Sequence, residues 1–374
     1  MEKNLPKSPL NTSPPSPPEG RETSNFSKMW RRGVFCGIAL FFSTIATAQV
    51  GGTSAFRFLN QSPSARMTGL GGAATPILTN DPSFGLSNPA LLNEKMDRKA
   101  EFSHQFLFAD AGAGTAAFAK NWKKYDLTWL AAVQYLTYGT FKGADAFGNA
   151  TSDFTATDLA LTVGAARKLN ERLRVGANLR FLSSRLESAS ATGVATDISA
   201  LYFNPDRQFG ASLTLRNAGL ELTKFTENGS REALPFDLQA SFSKKLKRAP
   251  IRLGLLLHDL QRWNLRYPTP ETQQSDNLFG ETATAPSKTT IFIDNLFRHA
   301  IFSSEFVFGA SEGFRVRVAY DHQRRREGLV SALGGSAGFS FGVGMKIKRF
   351  YLDYGTTRFH AVGGSQHLGL SVSL

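Results

Sequence analysis

The sequence predicts an all-β fold: a transmembrane antiparallel β-barrel of about fourteen strands, preceded by an N-terminal plug or hatch segment. Three observations carry this. Segments of about ten residues alternate apolar and polar or small side chains with period 2, as strands with one apolar face do. The connections between them are alternately short and long. Finally, the one apolar run approaching the length of a membrane helix lies near the N-terminus, at residues 34–45, so the body of the chain has no such helix. A closed barrel is the other structure whose backbone satisfies itself in lipid.

In chain order, residues 1–28 are polar and proline-rich (Pro14, Pro15, Pro17, Pro18), which predicts a disordered extension. Residues 29–48 read as a secretory signal peptide. Lys28, Arg31 and Arg32 precede an apolar stretch at 33–45, and Ala46-Thr47-Ala48 supplies the small residues for cleavage between Ala48 and Gln49. A membrane anchor is the competing reading of this segment. Met29 opens a compact signal by itself, so translation is expected to start there. Residues 49–99 do not alternate; Gly69, Gly71 and Gly72 cluster, and Pro76, Pro82 and Pro89 follow. Ahead of a barrel, such a segment is expected to fill the lumen, to cover the periplasmic mouth, or to serve as a tether.

Residues 100–374 carry the strands. The expected segments are 100–108, 113–121, 125–135, 157–167, 173–183, 195–203, 209–217, 236–244, 251–259, 299–309, 313–322, 336–348, 349–357 and 366–374. In 173–183, Leu173, Val175, Ala177, Leu179 and Phe181 share one parity, with Arg174, Gly176, Asn178 and Arg180 between them. A soluble β-sandwich would alternate in the same way. Segment length, aromatics near segment ends (Tyr125, Tyr135, Phe236, Phe242, Tyr320) and loop asymmetry favour the membrane. Connections after even-numbered segments are short. From the third segment onward, those after odd-numbered ones are long: 136–156, 184–194, 218–235, 260–298, 323–335 and 358–365. The even count returns the C-terminus to the periplasmic side of a Gram-negative outer membrane. Residues 291–298 read either as a short helix or as part of a strand.

Composition restricts the chemistry. The 374 residues carry a formal charge of +13, and residues 1–48 hold six Lys/Arg and three Asp/Glu, so removing them leaves +10. The basic residues are spread along strands rather than clustered, which argues against nucleic acid. The single cysteine, Cys36, lies in the signal segment, so disulfides and thiolate sites are not expected after cleavage. Among the six histidines no pair has the i, i+4 spacing of a helical zinc site, and no phosphate-binding P-loop occurs. No enzyme, metal or cofactor is expected. Arg174, Arg180, Arg252, Arg315 and Arg317 should face the lumen because their strand neighbours are apolar. They then either pair with acids or attract anions. Arg324-Arg325-Arg326-Glu327, in an outer loop, either binds lipopolysaccharide phosphates or is simply solvated.

One stretch resembles a known family. Ser64-Ala65-Arg66, Gly69-Leu70-Gly71-Gly72-Ala73, Asn80-Asp81-Pro82 and Asn88-Pro89-Ala90-Leu91-Leu92 are similar to the N-terminal signature of the PorV/PorQ family, relatives of the FadL-type fourteen-stranded barrels. The pieces at 294–299, 320–325 and 338–342 extend the likeness through the chain, while the terminal Leu374 departs from the aromatic that ends many outer-membrane barrels. The resemblance implies an outer-membrane component of the type IX secretion system of Bacteroidetes-like bacteria, accessory to export or surface attachment of cargo with C-terminal signal domains. Its expected partners are outer-membrane lipid and lipopolysaccharide, together with other secretion subunits or secreted cargo. The alternative is a FadL-like transporter of hydrophobic small molecules, which needs a lateral opening and an apolar pocket beneath the hatch.

Overall fold

The computed structural model describes residues 54–145, 147–225, 231–266, 287–309, 312–328, 335–359 and 363–374. The extension, the signal segment and its Ala48/Gln49 junction lie outside them.

Fourteen antiparallel strands close on themselves, each pairing with its sequence neighbours, and β1 with β14. They are β1 (Lys99–Phe106), β2 (Gly112–Trp122), β3 (Leu127–Phe141), β4 (Phe154–Lys168), β5 (Leu173–Leu186), β6 (Ala189–Asn204), β7 (Phe209–Thr223), β8 (Asp237–Lys245), β9 (Ile251–Leu257), β10 (Ala300–Phe308), β11 (Phe314–Asp321), β12 (Phe339–Ile347), β13 (Phe350–Arg358) and β14 (Gly364–Ser373). The alternation sets which side chains face out. On β5, Val175, Leu179 and Phe181 are exposed while Arg174, Asn178, Arg180 and Leu182 are buried. The outward apolar side chains form a band edged by aromatics. Trp122, Trp129 and Phe118 cluster toward one rim (ring centroids 5.7 and 6.2 Å apart), as do Phe308 and Phe314 (5.9 Å). Tyr320 and Phe339 (5.1 Å) mark the other rim. A band of this kind between aromatic girdles is the surface a barrel presents to a bilayer.

Several expected boundaries are corrected. The connection expected at 184–194 is mostly strand: β5 and β6 stay paired to Leu186↔Ala189. Here Ser, Ala and Thr occupy both faces, so no apolar parity marks the strand. Likewise β3 and β4 stay paired as far as Phe141↔Phe154, which shortens the expected 136–156 loop. Tyr125 does not begin β3 but ends a 3-10 turn, Lys123–Tyr125. The ambiguous 291–298 is helical, within Lys288–Arg298, and the arginine run is not an open loop but a short helix, His322–Glu327.

Residues 54–98 lie inside the barrel, in short helices α1 (Ala65–Gly69) and α2 (Phe84–Ser87) and in 3-10 turns including Arg57–Asn60, Pro89–Leu91 and Glu94–Met96. The helices of the long-loop rim are α3 (Lys288–Arg298) and α4 (His322–Glu327). Ser64 caps α1, its hydroxyl accepting from the Met67 amide at 3.3 Å. The helix closes as a Schellman motif: the Gly72 amide donates to Met67 (2.8 Å) and the Gly71 amide to Thr68 (3.0 Å). Gly71 and Gly72 stand at φ 78° and 84°, where a side chain is strained. The plug buries Met67, Leu70, Phe84, Leu91, Leu92 and Met96 against Ala119, Leu130, Ala132, Ala166 and Leu201 of the β2–β6 wall.

Candidate functional site: the plugged lumen and its mouth

At mid-lumen the plug meets the wall through ions. Arg66 of α1 donates from Nε and Nη2 to the two carboxylate oxygens of Glu305 on β10, at 3.0 and 2.9 Å. Its Nη1 bonds Asp81 and, at 2.5 Å, Thr79. Glu305 also accepts from Arg317 Nε (3.0 Å) and Arg252 Nη1 (2.5 Å). Arg317 continues to Asp353 (2.6 Å), and Arg252 to Glu312 (3.2 Å), which Lys245 also contacts (2.9 Å). Glu305, Arg66 and Arg317 are almost wholly buried. A charge so buried is tolerable only when paired, so the network fixes the plug's position and fills the lumen at that level.

The other arginines expected to face the lumen are placed as follows. Arg174 pairs with Glu94 of the plug at 2.5 Å, and Arg180 pairs with Asp197 at 2.6 Å. Asp197 in turn accepts from the Asn217 amide (2.8 Å) and Asn178 (2.9 Å). Arg315 lies over the Tyr351 ring, 5.2 Å from its centroid, and forms no direct ion pair among the described residues.

The residues that carry the family resemblance gather on the plug's contacts. Gly69 packs tightly on the Gly342 backbone, where a Cβ would stand 3.0 Å from the Gly342 Cα. Asn88 donates to Ser212 (2.9 Å), and the Ala90 amide to Ser199 (2.7 Å). Pro89 and Ala90 press their backbone against Gly176, where a Cβ would stand 2.5 Å from the Pro89 carbonyl carbon. Sequence reasoning missed the acids. Glu305 is the lone acid of an apolar strand, at the same parity as Ile301 and Ser303, and that position was its available signal.

Above the network, at the long-loop rim, lies a cavity of ≈350 Å³. Phe58, Leu136, Tyr138 and Phe359 supply its apolar surface; Arg57, Arg324, Asn60, Gln61 and Gln105 supply donors. Thr68 and Gly72 of the plug also line it. Larger hollows, of ≈850 and ≈790 Å³, are on the outer wall between side chains such as Phe102, Met345, Leu179 and Phe181, and belong to the lipid-facing surface.

The wall is interrupted between β7 and β8, strands that contribute no residue to this cavity. The pairing of β7 with β8 stops at Arg216↔Asp237, although β7 runs on to Thr223 against β6. Asn217, at φ 54°, sits where the β6–β7 register shifts. Residues 231–236 cover the interval: Leu234 is buried, and Asn217 Nδ2 donates to the Pro235 carbonyl at 3.0 Å. Ser54 bridges Ala233 in parallel, and the Ala55 amide donates to Ala233 at 3.0 Å, so the start of the plug closes the interval from inside.

Among the described residues no group of three His, Cys, Asp or Glu side chains is placed to hold a metal ion. No family model matches the chain, and no curated protein is similar to it in sequence. Among solved structures, the toluene transporter TodX of Pseudomonas putida is 10% identical over 83% of this chain and 96% of its own, with a TM-score of 0.48. A Pseudomonas aeruginosa FadL homologue is 12% identical over 86% and 99%, with a TM-score of 0.46. The monoaromatic hydrocarbon channel CymD is 13% identical over 85% and 97%, with a TM-score of 0.45.

Proposed function

We propose that this chain is an outer-membrane barrel that admits small, partly apolar molecules from the cell surface, with the long-loop rim outward and the short turns in the periplasm. The observation that carries this reading is the mouth cavity, an aromatic-lined chamber with a few converging donors. Its volume lies in the range of small-molecule pockets. The buried ion network blocks the straight path below it, so exit runs sideways, past the turn whose Leu59 carbonyl accepts from Arg216 of β7 at 3.3 Å, to the interval between β7 and β8. That passage opens when Ser54–Ala55 releases Ala233.

An accessory role in type IX secretion is the second reading, supported by the resemblance of Arg66, Gly69, Gly71, Gly72, Asn88, Pro89 and Ala90 to the PorV/PorQ signature. With the lumen filled, secreted cargo or partner subunits would engage the surface loops rather than pass through the barrel.

The test uses the near absence of thiols: Cys36 is the chain's one cysteine and precedes the expected cleavage site. A disulfide between S54C and A233C should stop uptake of labelled monoaromatic or fatty-acid tracers by whole cells, and reduction should restore it. Uptake unchanged by the crosslink refutes the lateral route. If deleting the gene leaves uptake normal but traps C-terminal-signal cargo in the periplasm, the secretion reading replaces the first.

A further inference from the structure

Helix α3 carries its apolar residues on the outside. Phe292, Ile293, Leu296 and Phe297 are 54%, 48%, 45% and 43% exposed, whereas Asn295 and Arg298 are buried. Their i, i+1, i+4, i+5 spacing makes one stripe on the face away from Asp294 and Arg298. The stripe is continuous with the lipid-facing wall, because the Phe297 ring lies 6.2 Å from that of Phe302 on the outer face of β10. Trp263, half exposed, extends it at 5.3 Å from Phe292. A helix with such a stripe, beside an aromatic girdle, has the form of an interfacial helix lying in a leaflet.

The opposite face is cationic. Asp294 is contacted by Arg298 (2.8 Å), Arg326 (3.1 Å), His322 (3.3 Å) and Arg266 (3.6 Å). One carboxylate cannot neutralise three guanidiniums, and the Arg326 and Arg266 side chains remain 48% and 28% exposed. Arginine forks suit phosphate oxygens, and a cationic cluster bordering an apolar stripe fits a ligand with acyl chains below a phosphate.

We infer that α3 lies in the outer leaflet with its stripe against acyl chains, and that Arg266 and Arg326 hold a phosphate of lipid A, the phosphorylated glycolipid of that leaflet. The site rests on the outward placement of the long-loop rim and is independent of uptake.

The experiment places the purified full-length barrel in phosphatidylcholine nanodiscs and measures retention of bis-phosphorylated lipid A, and of the same lipid without phosphates, by native mass spectrometry. The wild type should retain the phosphorylated form preferentially. Basic residues at a membrane surface each contribute about fivefold, so R266Q/R326Q should lower that preference roughly twentyfold to thirtyfold. F292S/F297S should weaken both forms alike. Arg298 and His322 still hold Asp294 in the arginine variant, so the band that migrates as a folded barrel until boiled should persist. Should the double variant not assemble, R326Q alone carries the test. Equal retention of the two lipid forms, or an unchanged preference in R266Q/R326Q, overturns the site. Displacement by inorganic phosphate at matching concentration reduces it to a plain anion site and overturns the lipid assignment. None of these results bears on the mouth cavity, so uptake stands or falls separately.

Discussion

The plug is held on two sides by different chemistry. Toward β2–β6 it presents Phe84, Leu86, Leu91, Leu92 and Met96 to small and aliphatic wall residues, an apolar contact that tolerates repacking. Toward β10–β13 it presents Arg66 to Glu305, within a network where each charge depends on its neighbours. Apolar packing is non-directional, so losses there scale with the atoms removed. The ionic side specifies one position, because a displaced Arg66 would lose its two hydrogen bonds to Glu305 and carry a buried guanidinium away from that partner. The difference teaches how a segment without long secondary structure is held in one place: one side supplies adhesion and the other register.

The largest expected effect breaks the ionic side. Glu305→Ala leaves Arg66, Arg252 and Arg317 facing one another in a closed lumen, at a cost of about 3–5 kcal/mol. The midpoint at which the folded electrophoretic band is lost on heating should fall sharply. Adding Arg66→Met to Glu305→Ala should recover part of that loss, because one stranded charge goes with it. A double variant as unstable as the sum of the singles would mean that the network is not coupled. On the apolar side, Leu130→Ala removes a fully buried side chain beneath the plug. It should cost about 2–5 kcal/mol, toward the lower end if Met67, Leu92 or Met96 relaxes into the space. The same heating assay checks it. A Leu130→Ala loss equal to that of Glu305→Ala would erase the distinction between the two sides.

Much of this was legible in the sequence, because period-2 alternation records burial directly: a residue is outside or inside the wall by parity alone. That is how Arg174, Arg180, Arg252, Arg315 and Arg317 could be assigned to the lumen side. Alternation fails where both faces are small and polar, as at 189–194 in the first part of β6, and strand then reads as loop. Their partners were not legible. Arg66 and Glu305 stand 239 residues apart, and no local pattern records such a pairing. The family-like glycines and Asn88-Pro89-Ala90 were visible as a signature, yet their contacts with Gly342, Gly176, Ser199 and Ser212 all lie on distant strands. In this fold the signature describes how a plug seats against a wall, so it is weaker evidence for a partner than its resemblance implies.

The smallest effect sharpens the comparison by taking the same motif from the lumen to the rim. Asp294, like Glu305, is one carboxylate among several arginines, but it sits on α3 at the rim. Burial pushes its carboxyl up. The Arg298 hydrogen bond and charge, the His322 hydrogen bond and the Arg326 charge more than offset this, holding it below the usual carboxylate range. Arg266 of the preceding loop faces it as well, at 3.6 Å. A depressed carboxylate contributes stability that is present above its unfolded value, about pH 4, and is lost as pH falls through the lower folded value. Protease protection of α3 should therefore hold from neutrality to about pH 4 and decline below it, while the barrel stays closed. Asp294→Asn should remove that dependence and leave α3 less protected at every pH. Arg326 and Arg266 stay partly exposed, so solvent screens this cluster and the change belongs to the helix and not to the fold. If α3 and the plug lost protection together on acidification, the rim and the lumen would form one cooperative unit, and exposure would not separate the two arginine clusters.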